Sequence, residues 1–181
     1  MSTGAARRAL QISDLQQLAG ALAAADDPPP IYAALEALTA EVIGHRLFTI
    51  MRFDAARFEV ERVHTNMPEV YPVGGRKQKA RTTWGERVLV AKQTARASNA
   101  DEVRASFDDH TTIIGLGLGS ILNVPIVTSG RCVGTMNLCH EEGWYTAEDE
   151  RTGVLLGSFL AAGLLLSPRQ IYTSRTTVHK S

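Results

Sequence analysis

Two stretches near the amino terminus carry apolar residues at the spacing of an amphipathic helix. In the first, Asp14 suits an N-cap, and one face carries Leu15, Leu18, Ala19 and Leu22. Residues 26–30, two aspartates followed by three prolines, end this helix. A second helix starts near Pro30, and its apolar face carries Ile31, Leu35, Leu38 and Val42.

After the second helix the hydrophobic period changes to two, which indicates strands. Residues 46–53 and 58–65 are predicted to form a β-hairpin. Residues 66–81 hold two prolines, two glycines and four cations, so we expect a loop that is long for a compact domain. A short helix starting at Thr82 follows, and residues 94–98 are predicted to form a short strand.

The strongest strand signals come late in the chain. Residues 120–127 and 131–139 flank a tight turn and predict a second hairpin. Short helical turns are expected over 100–118, and Thr146 suits the N-cap of a last helix that runs to Leu166. Two strand pairs separated by a crossover, with helices at both ends, predict an antiparallel sheet and an α+β fold.

The second hairpin has one apolar face and one polar face. Leu122, Val124 and Ile126 share the apolar face, which we expect to pack against the long helices. The opposite face carries uncharged polar residues: Asn123, Thr135, Asn137 and Cys139. A buried amide without partners costs about 1–3 kcal/mol. These groups therefore need partners, either the backbone of an overlying loop or a ligand in a polar pocket.

Composition narrows the classes of function. The chain has 181 residues, 44% hydrophobic and 21% charged, the balance of one ordinary globular domain. Lys plus Arg equals Asp plus Glu at 19 each, and the basic cluster within 76–81 is too short to argue for nucleic-acid binding. The sequence has neither an apolar run of about eighteen residues nor a signal-peptide core, so we expect a cytoplasmic protein without a membrane span.

The two cysteines, Cys132 and Cys139, fall in one predicted strand. Their spacing along a strand separates the α-carbons by roughly 23 Å, and an odd spacing points the two side chains to opposite faces. A disulfide needs α-carbons within about 7 Å. We therefore expect two free thiols, which fits a reducing compartment.

The late hairpin and the last helix resemble the carboxyl-terminal half of a GAF domain. The matching pieces are Val124-Pro125-Ile126, Gly130 at the turn, Gly134-Thr135-Met136-Asn137-Leu138, Tyr145-Thr146 and Glu148-Asp149. The segment 83–88 is similar to the short helix that follows the variable loop in the family. The resemblance covers residues 15–166 and leaves 1–14 as a lead and 167–181 as a tail.

This resemblance implies a fold and the place of a site. GAF domains have an antiparallel sheet of six strands whose first and last helices lie on one face, where they commonly form a homodimer. On the other face, loops and short helices enclose a pocket for ligands that range from cyclic nucleotides to bilins, haem, amino acids and small metabolites. We therefore expect a homodimer through the terminal helices and a pocket over the amide-bearing strands.

The long loop and the helix after it supply the expected roof of that pocket. Tyr71, Arg76 and Lys77, with Lys79, bring an aromatic ring and cations over the sheet, which suits an anionic small-molecule ligand. The alternative for these cations is a solvated, charged loop. Trp84 is expected either to pack in the core or to stack on a planar ligand.

Few residues are candidates for catalysis. His64, at the start of the long loop, His110 on the loop side and Cys139 on the polar strand face are the candidate bases and nucleophile. Cys139 and His140 point to opposite faces and do not form a catalytic pair. Residues 108–110 (Asp-Asp-His) are adjacent, and adjacent side chains rarely converge on one ion. We predict neither a metal nor a cofactor.

Three functions stay open. The first is a free-standing protein that binds a small anionic metabolite, because the sequence shows no output domain beside the GAF-like one. The second is a small GAF-fold enzyme that acts on an anionic metabolite through a pocket histidine or Cys139. The third is a dimerisation module without a ligand. A sealed polar pocket without a perturbed histidine or cysteine favours the first.

Overall fold

The fold is built on an antiparallel sheet. The computed structural model describes residues 7–79 and 82–165. Its strands are β1 (Leu47–Asp54), β2 (Glu59–Thr65), β3 (Arg76–Gln78), β4 (Ala95–Ala97), β5 (Ser120–Thr128) and β6 (Arg131–His140). In this described part the six strands pair in the order β3-β2-β1-β6-β5-β4, and each neighbouring pair is antiparallel. The predicted α+β fold is confirmed.

Long helices cover one face of the sheet and short helices cover the other. The helices are α1 (Ile12–Ala24), α2 (Pro29–Val42), α3 (Thr83–Gly85), α4 (Ala100–Ser106), α5 (His110–Gly115), α6 (Ala147–Gly157) and α7 (Ala161–Leu165). One π-helical turn, Glu86–Val90, extends α3, and a 3-10 turn, Ser158–Leu160, joins α6 to α7. Thr146 caps α6, as predicted. The predicted tail at 167–181 lies outside the described residues.

Helix α1 starts three residues earlier than its sequence signal suggests. Its N-cap is Gln11, and Asp14 is the third helical residue of a capping box. The Gln11 backbone N–H donates to Asp14 Oδ2 at 2.8 Å, and the Arg8 guanidinium donates to the same oxygen at 2.7 Å. The prediction of Asp14 as the N-cap is therefore wrong, although its carboxylate does satisfy the helix start.

The long helices bury the apolar face of the central strands. Leu122, Val124 and Ile126 lie in one cluster with apolar residues of α2 and α6, as predicted. Helix α6 approaches β5 closely because it has glycine at the contact: a Cβ on Gly157 would lie 2.8 Å from Ile126 Cδ1. This packing fixes which face of the sheet remains for the loops.

A β-bulge reverses part of the predicted strand alternation. The pairing of β5 with β6 shifts between Ile126 and Val127, and a shift of one residue moves side chains to the other face. Cys132 therefore packs against Trp84 on the loop side, while Val133 joins the cluster under the long helices. The prediction that Cys132 and Cys139 occupy opposite faces is wrong. Both thiols are free and buried.

The long segment between β2 and α3 is not entirely a loop. Residues 76–78 form β3, which pairs with β2 through Val60 and Lys77 at its centre. The prediction of an unbroken loop over 66–81 is therefore wrong in its second half. Among the described helices, none is long and apolar enough to cross a membrane.

Candidate functional site

A small cavity of about 70 Å³ lies on the loop side of the sheet. Strands β1, β5 and β6 form its floor with Leu47, Thr49, Met51, Ile121, Asn123, Asn137 and Cys139. Strand β2, the long loop and the short helices enclose it with Arg62, Tyr71, Lys77, Lys79, Trp84, Phe107, Asp109 and Ile113. Residues nominated from sequence are thus brought together here: Asn123, Asn137, Cys139, Tyr71, Lys77 and Trp84.

One row of polar side chains crosses the cavity floor. Asn123, Asn137 and Thr49 are directly opposite one another on β5, β6 and β1. Trp84 Nε1 donates to Asn123 Oδ1 at 2.8 Å, and Asn123 Nδ2 donates to Asn137 Oδ1 at 2.8 Å. Asn137 Nδ2 donates in turn to Thr49 Oγ1 at 3.1 Å. The buried amides therefore satisfy one another across the strands, and Trp84 both packs in the core and completes the row.

Arg62 is the most buried cation at this cavity, with 6% of its surface exposed. Its Nη1 donates to the Pro72 carbonyl at 3.1 Å, and its guanidinium carbon lies 5.0 Å from the centre of the Tyr71 ring. Its buried Nε lacks a hydrogen-bond partner among the described residues. Gly75 allows this close packing, since a Cβ there would lie 2.8 Å from Arg62 Nη1.

The electrostatic surroundings of Arg62 are also incomplete. The ion pairs of the neighbouring loop use Arg76 and Lys77, and within residues 7–79 and 82–165 none uses Arg62. Burial lowers the pKa of Arg62, while the nearby Tyr71 and Asp109 oppose that shift. An arginine remains charged at neutral pH even so. The site therefore holds a largely desolvated positive charge.

Strand β3 divides the cations of the loop between the two faces of the sheet. Lys77 and Lys79 line the cavity, whereas Arg76 contacts Glu59 and Glu61 at 3.1 Å each in a separate surface depression. The prediction that Arg76 faces the pocket is wrong, because side chains alternate along a strand. Lys79 Nζ lies 4.7 Å from the centre of the Trp84 ring, and burial lowers its pKa.

Asp109 is a cavity residue that the sequence analysis did not nominate as a ligand contact. It occupies the N-cap position of α5 without making a side-chain cap. Its Oδ2 instead lies 3.0 Å from Lys77 Nζ, so the ion pair ties α5 to β3 above the cavity. Burial alone would raise the pKa of Asp109, but the hydrogen bond and charge of Lys77 outweigh burial and hold that pKa below its usual value.

Two of the predicted strand residues differ in their access to the cavity. Thr135 is fully buried and lies outside the cavity lining, so the prediction that it faces the pocket is wrong. Cys139 does line the cavity, but burial raises the pKa of its thiol to about 12. The thiol is therefore protonated near neutral pH and is a poor nucleophile.

Neither candidate histidine lines the cavity. His64 Nε2 lies 2.5 Å from Glu36 Oε2 of α2, on the helix side, beyond an irregularity in the pairing of β1 with β2. His64, a candidate base from the sequence, is therefore satisfied at the strand end by Glu36 and does not reach the cavity. His110 Nδ1 lies 2.9 Å from the Phe107 carbonyl oxygen, and its ring lines an outer groove instead.

The outer groove adjoins the cavity and has a volume of about 990 Å³. Trp84, Phe107 and Asn123 line both spaces. These three side chains therefore lie between the cavity and the groove. In the described parts of the chain, no group of three His, Cys, Asp or Glu residues is arranged to hold a metal ion.

Comparison with known proteins identifies the fold. No protein-family model and no curated protein matches the sequence. The GAF domain of a phosphoenolpyruvate-protein phosphotransferase from Coxiella burnetii is similar at TM-score 0.69 and 19% identity, covering 84% of this chain and 91% of that one. The Acinetobacter GAF domain of the same kind of protein has TM-score 0.69 at 14% identity, with 87% and 94% covered.

An enzyme is also among the similar structures. Free methionine-R-sulfoxide reductase from Neisseria meningitidis, in complex with its substrate, has TM-score 0.64 at 16% identity and covers 90% of this chain and 96% of its own. At such identities the likeness concerns the fold alone. The described part of this chain has the GAF fold.

Proposed function

We propose that this protein binds a small anionic metabolite in the cavity beneath residues 66–79. The observation that carries the proposal is Arg62, a buried guanidinium at the cavity wall without an ion-pair partner in the described residues. A buried charge is unfavourable unless it is paired. An anion in the cavity would supply the missing partner, and a guanidinium suits carboxylate or phosphate because it can donate two parallel hydrogen bonds.

The other charges around the cavity also favour an anion. Of the described lining residues, Arg62, Lys77 and Lys79 are cations and Asp109 is the carboxylate. The balance is a surplus of two positive charges. Charges in a partly buried site are screened by salt much less than charges on the surface, so this surplus acts on whatever enters the cavity.

The cavity floor would orient the ligand. The amides of Asn123 and Asn137 each use one nitrogen-bound hydrogen in the polar row, and an amide nitrogen carries two. The second hydrogen can donate to a ligand oxygen. A few placed polar groups among apolar walls are the usual means of fixing a small ligand's orientation.

The cavity volume limits the part of the ligand that it encloses. An engineered cavity of about 150 Å³ holds benzene. At about 70 Å³ the present cavity suits about three non-hydrogen atoms, the size of one carboxylate group, by rough proportion. A larger ligand would place its anionic head here and extend between Trp84 and Phe107 into the outer groove.

Binding fits these residues better than turnover or a purely structural role. Cys139 is protonated, and His64 and His110 lie outside the cavity. Among the described residues, none of the candidates named from the sequence therefore stands in the cavity as an ionised nucleophile or a histidine base. A dimerisation module without a ligand would have no need for an unpaired guanidinium beside an enclosed polar space.

The test compares two arginines of the same loop region. Native mass spectrometry of freshly purified wild-type protein is expected to show a small co-purifying acid. A two-dimensional NMR titration with acetate, the simplest carboxylate probe, then measures the site directly. Arg62→Gln is expected to weaken acetate binding at least about ten-fold, since a hydrogen bond to a charged group is lost.

Arg76→Gln is the matched control, because Arg76 lies outside the cavity and pairs with Glu59 and Glu61. It should leave the acetate affinity unchanged. Equal affinity in wild type and Arg62→Gln contradicts the proposal. An equal loss in both variants also contradicts it, because it would show attraction to the general charge of the loop.

A further inference from the structure

The carboxylate of Asp109 is unexpected in a cavity that binds a plain carboxylate, because two negative charges repel each other. It lines the same cavity as Arg62 and Lys79, and its charge contributes, after burial, to raising the pKa of Tyr71. A ligand anion held by Arg62 and Lys79 would therefore face a second negative charge. Like charges a few ångströms apart in a partly desolvated site repel each other, and the pairing of Asp109 with Lys77 offsets only part of that repulsion.

A hydrogen-bond donor on the ligand removes this conflict. Lys77 holds one carboxylate oxygen of Asp109 at 3.0 Å, and an ionised carboxylate accepts about four hydrogen bonds over its two oxygens. Resting on the anion-binding function proposed above, we propose that Asp109 selects small carboxylic acids that carry a hydroxyl group next to the carboxylate. The acid binds Arg62 and Lys79, and the hydroxyl donates to Asp109.

The charge balance favours a hydroxyl group over an ammonium group as that donor. The described lining has a surplus of two positive charges. A 2-hydroxy acid brings one negative charge and reduces the surplus to one. A zwitterionic 2-amino acid brings none and places its ammonium beside Lys77 and Lys79, which adds like-charge repulsion.

Three molecules of nearly equal size isolate the effect of the ligand's hydrogen-bond donor on affinity. Acetate, glycolate and glycine share one carboxylate on one carbon and differ only in hydrogen, hydroxyl or ammonium at that carbon. Each has four or five non-hydrogen atoms, so the carboxylate group fits the volume of about 70 Å³ and the remaining atoms lie at its edge. We would titrate each into the protein of residues 1–181 and follow two-dimensional NMR spectra, a readout suited to the weak affinity of such small ligands.

In wild-type protein, glycolate is expected to bind about ten-fold more tightly than acetate, the size of one hydrogen bond to a charged acceptor. Glycine is expected to bind more weakly than glycolate. Asp109→Asn removes the repulsion of the plain acid, so acetate should bind several-fold more tightly than to wild type. The preference for glycolate should then fall to less than about three-fold.

Asp108→Asn is the matched control, because Asp108 is the neighbouring residue, is exposed and lines the outer groove rather than the cavity. It should keep the ten-fold preference. NMR spectra of the unliganded variants verify their folding. The preference measured in wild type tests the proposal even if Asp109→Asn does not fold.

The possible outcomes separate this inference from the function on which it rests. Acetate binding that depends on Arg62 but equals or exceeds glycolate binding overturns the selectivity and leaves anion binding intact. Glycine as the tightest ligand also overturns it, in favour of amino acids. If none of the three binds differently to wild type and Arg62→Gln, the anion site itself is refuted, and the selectivity with it.

Discussion

The two faces of the sheet differ in how continuously their apolar side chains are packed. On the helix side, Phe48, Leu122 and Leu138 are fully buried in one continuous apolar cluster. On the loop side, apolar residues fall into two smaller described clusters on either side of the polar row and the cavity. The helix face is one continuous core, whereas the loop face contains a cavity and, at its wall, Arg62, a buried cation without an ion-pair partner among the described residues.

This contrast is consistent with the proposed binding function. Apolar burial contributes about 25 cal/mol per Å² without directional requirements. A buried polar or charged group contributes nothing until its partners are in place. Natural proteins tolerate unpaired polar or charged groups at functional sites when packing elsewhere keeps the fold stable. Here the apolar cluster on the helix face would supply that stability.

The largest expected effect on stability comes from replacing leucine by alanine, once on each face of the sheet. Leu138→Ala leaves a hole in the close-packed helix side and should lower the free energy of unfolding by about 3–5 kcal/mol. Leu47→Ala, beside the existing cavity, should lower it by about 2–3 kcal/mol, because the adjoining loop can settle into the space. Urea denaturation measures both. A cost for Leu47→Ala equal to that for Leu138→Ala would argue that the loop face is packed as tightly as the helix face.

The next effect concerns the polar row. Asn137→Leu leaves Asn123 Nδ2 without its acceptor and Thr49 without its donor, and should cost about 1–3 kcal/mol. The double variant Asn123→Leu/Asn137→Leu should cost less than the sum of the two single variants, since residues in one network couple. Urea midpoints of the four proteins form the double-mutant cycle. Strict additivity would mean that the row does not act as a unit.

The same contrast explains which features the sequence predicts. The helix face follows from periodicity, because Leu122, Val124 and Ile126 repeat every second residue over a whole strand. The inward position of Asn123 and Asn137 also follows from this alternation, but their hydrogen bonding to each other does not, since loop backbone or a ligand is the partner that the sequence predicts. In long, regular strands the alternation of residue types thus predicts which face of the sheet each side chain occupies.

The segments that cover the cavity show no such regular spacing of apolar and polar residues. Strand β3 is only three residues long and directly follows two glycines, so no alternation is visible in it. That short strand decides that Lys77 faces the cavity and Arg76 does not. The bulge that moves Cys132 depends on pairing between two strands, which a single sequence does not contain. Arg62 did carry a signal: it is a charge on the same strand face as Val60.

The third effect is a pH dependence that belongs to the helix side. His140 stacks on Trp144 with ring centres 3.4 Å apart, and its Nδ1 accepts the Glu141 N–H at 2.8 Å. Burial, and then the charge of Arg46, lowers the pKa of His140 to about 4, from 6.5. Between these values the unfolded chain binds a proton that the folded protein excludes, so stability falls as pH falls through this range.

With solvent screening allowed for, the loss attributable to His140 should be about 1 kcal/mol on going from pH 7.5 to pH 5. Urea denaturation of wild type and His140→Phe at the two pH values measures it, since the phenyl ring keeps the stack without titrating. An equal pH dependence in both proteins would assign the effect to other groups.

The smallest expected effect on stability is the sharpest test of the contrast between the faces. Most substitutions of buried residues lower the free energy of unfolding, whereas this one should not. Arg62→Met replaces a buried, unpaired cation by an apolar side chain of similar length. Such replacements are often neutral or stabilising, so the free energy of unfolding without ligand should stay unchanged or rise by about 1 kcal/mol. Acetate binding should be lost in the same protein.

Urea denaturation and NMR titration measure the stability and the acetate affinity, with Arg76→Met, on the other face, as the control. A loss of more than about 2 kcal/mol would mean that Arg62 holds the loop in place through Pro72 and Tyr71, and its unpaired charge would then be structural.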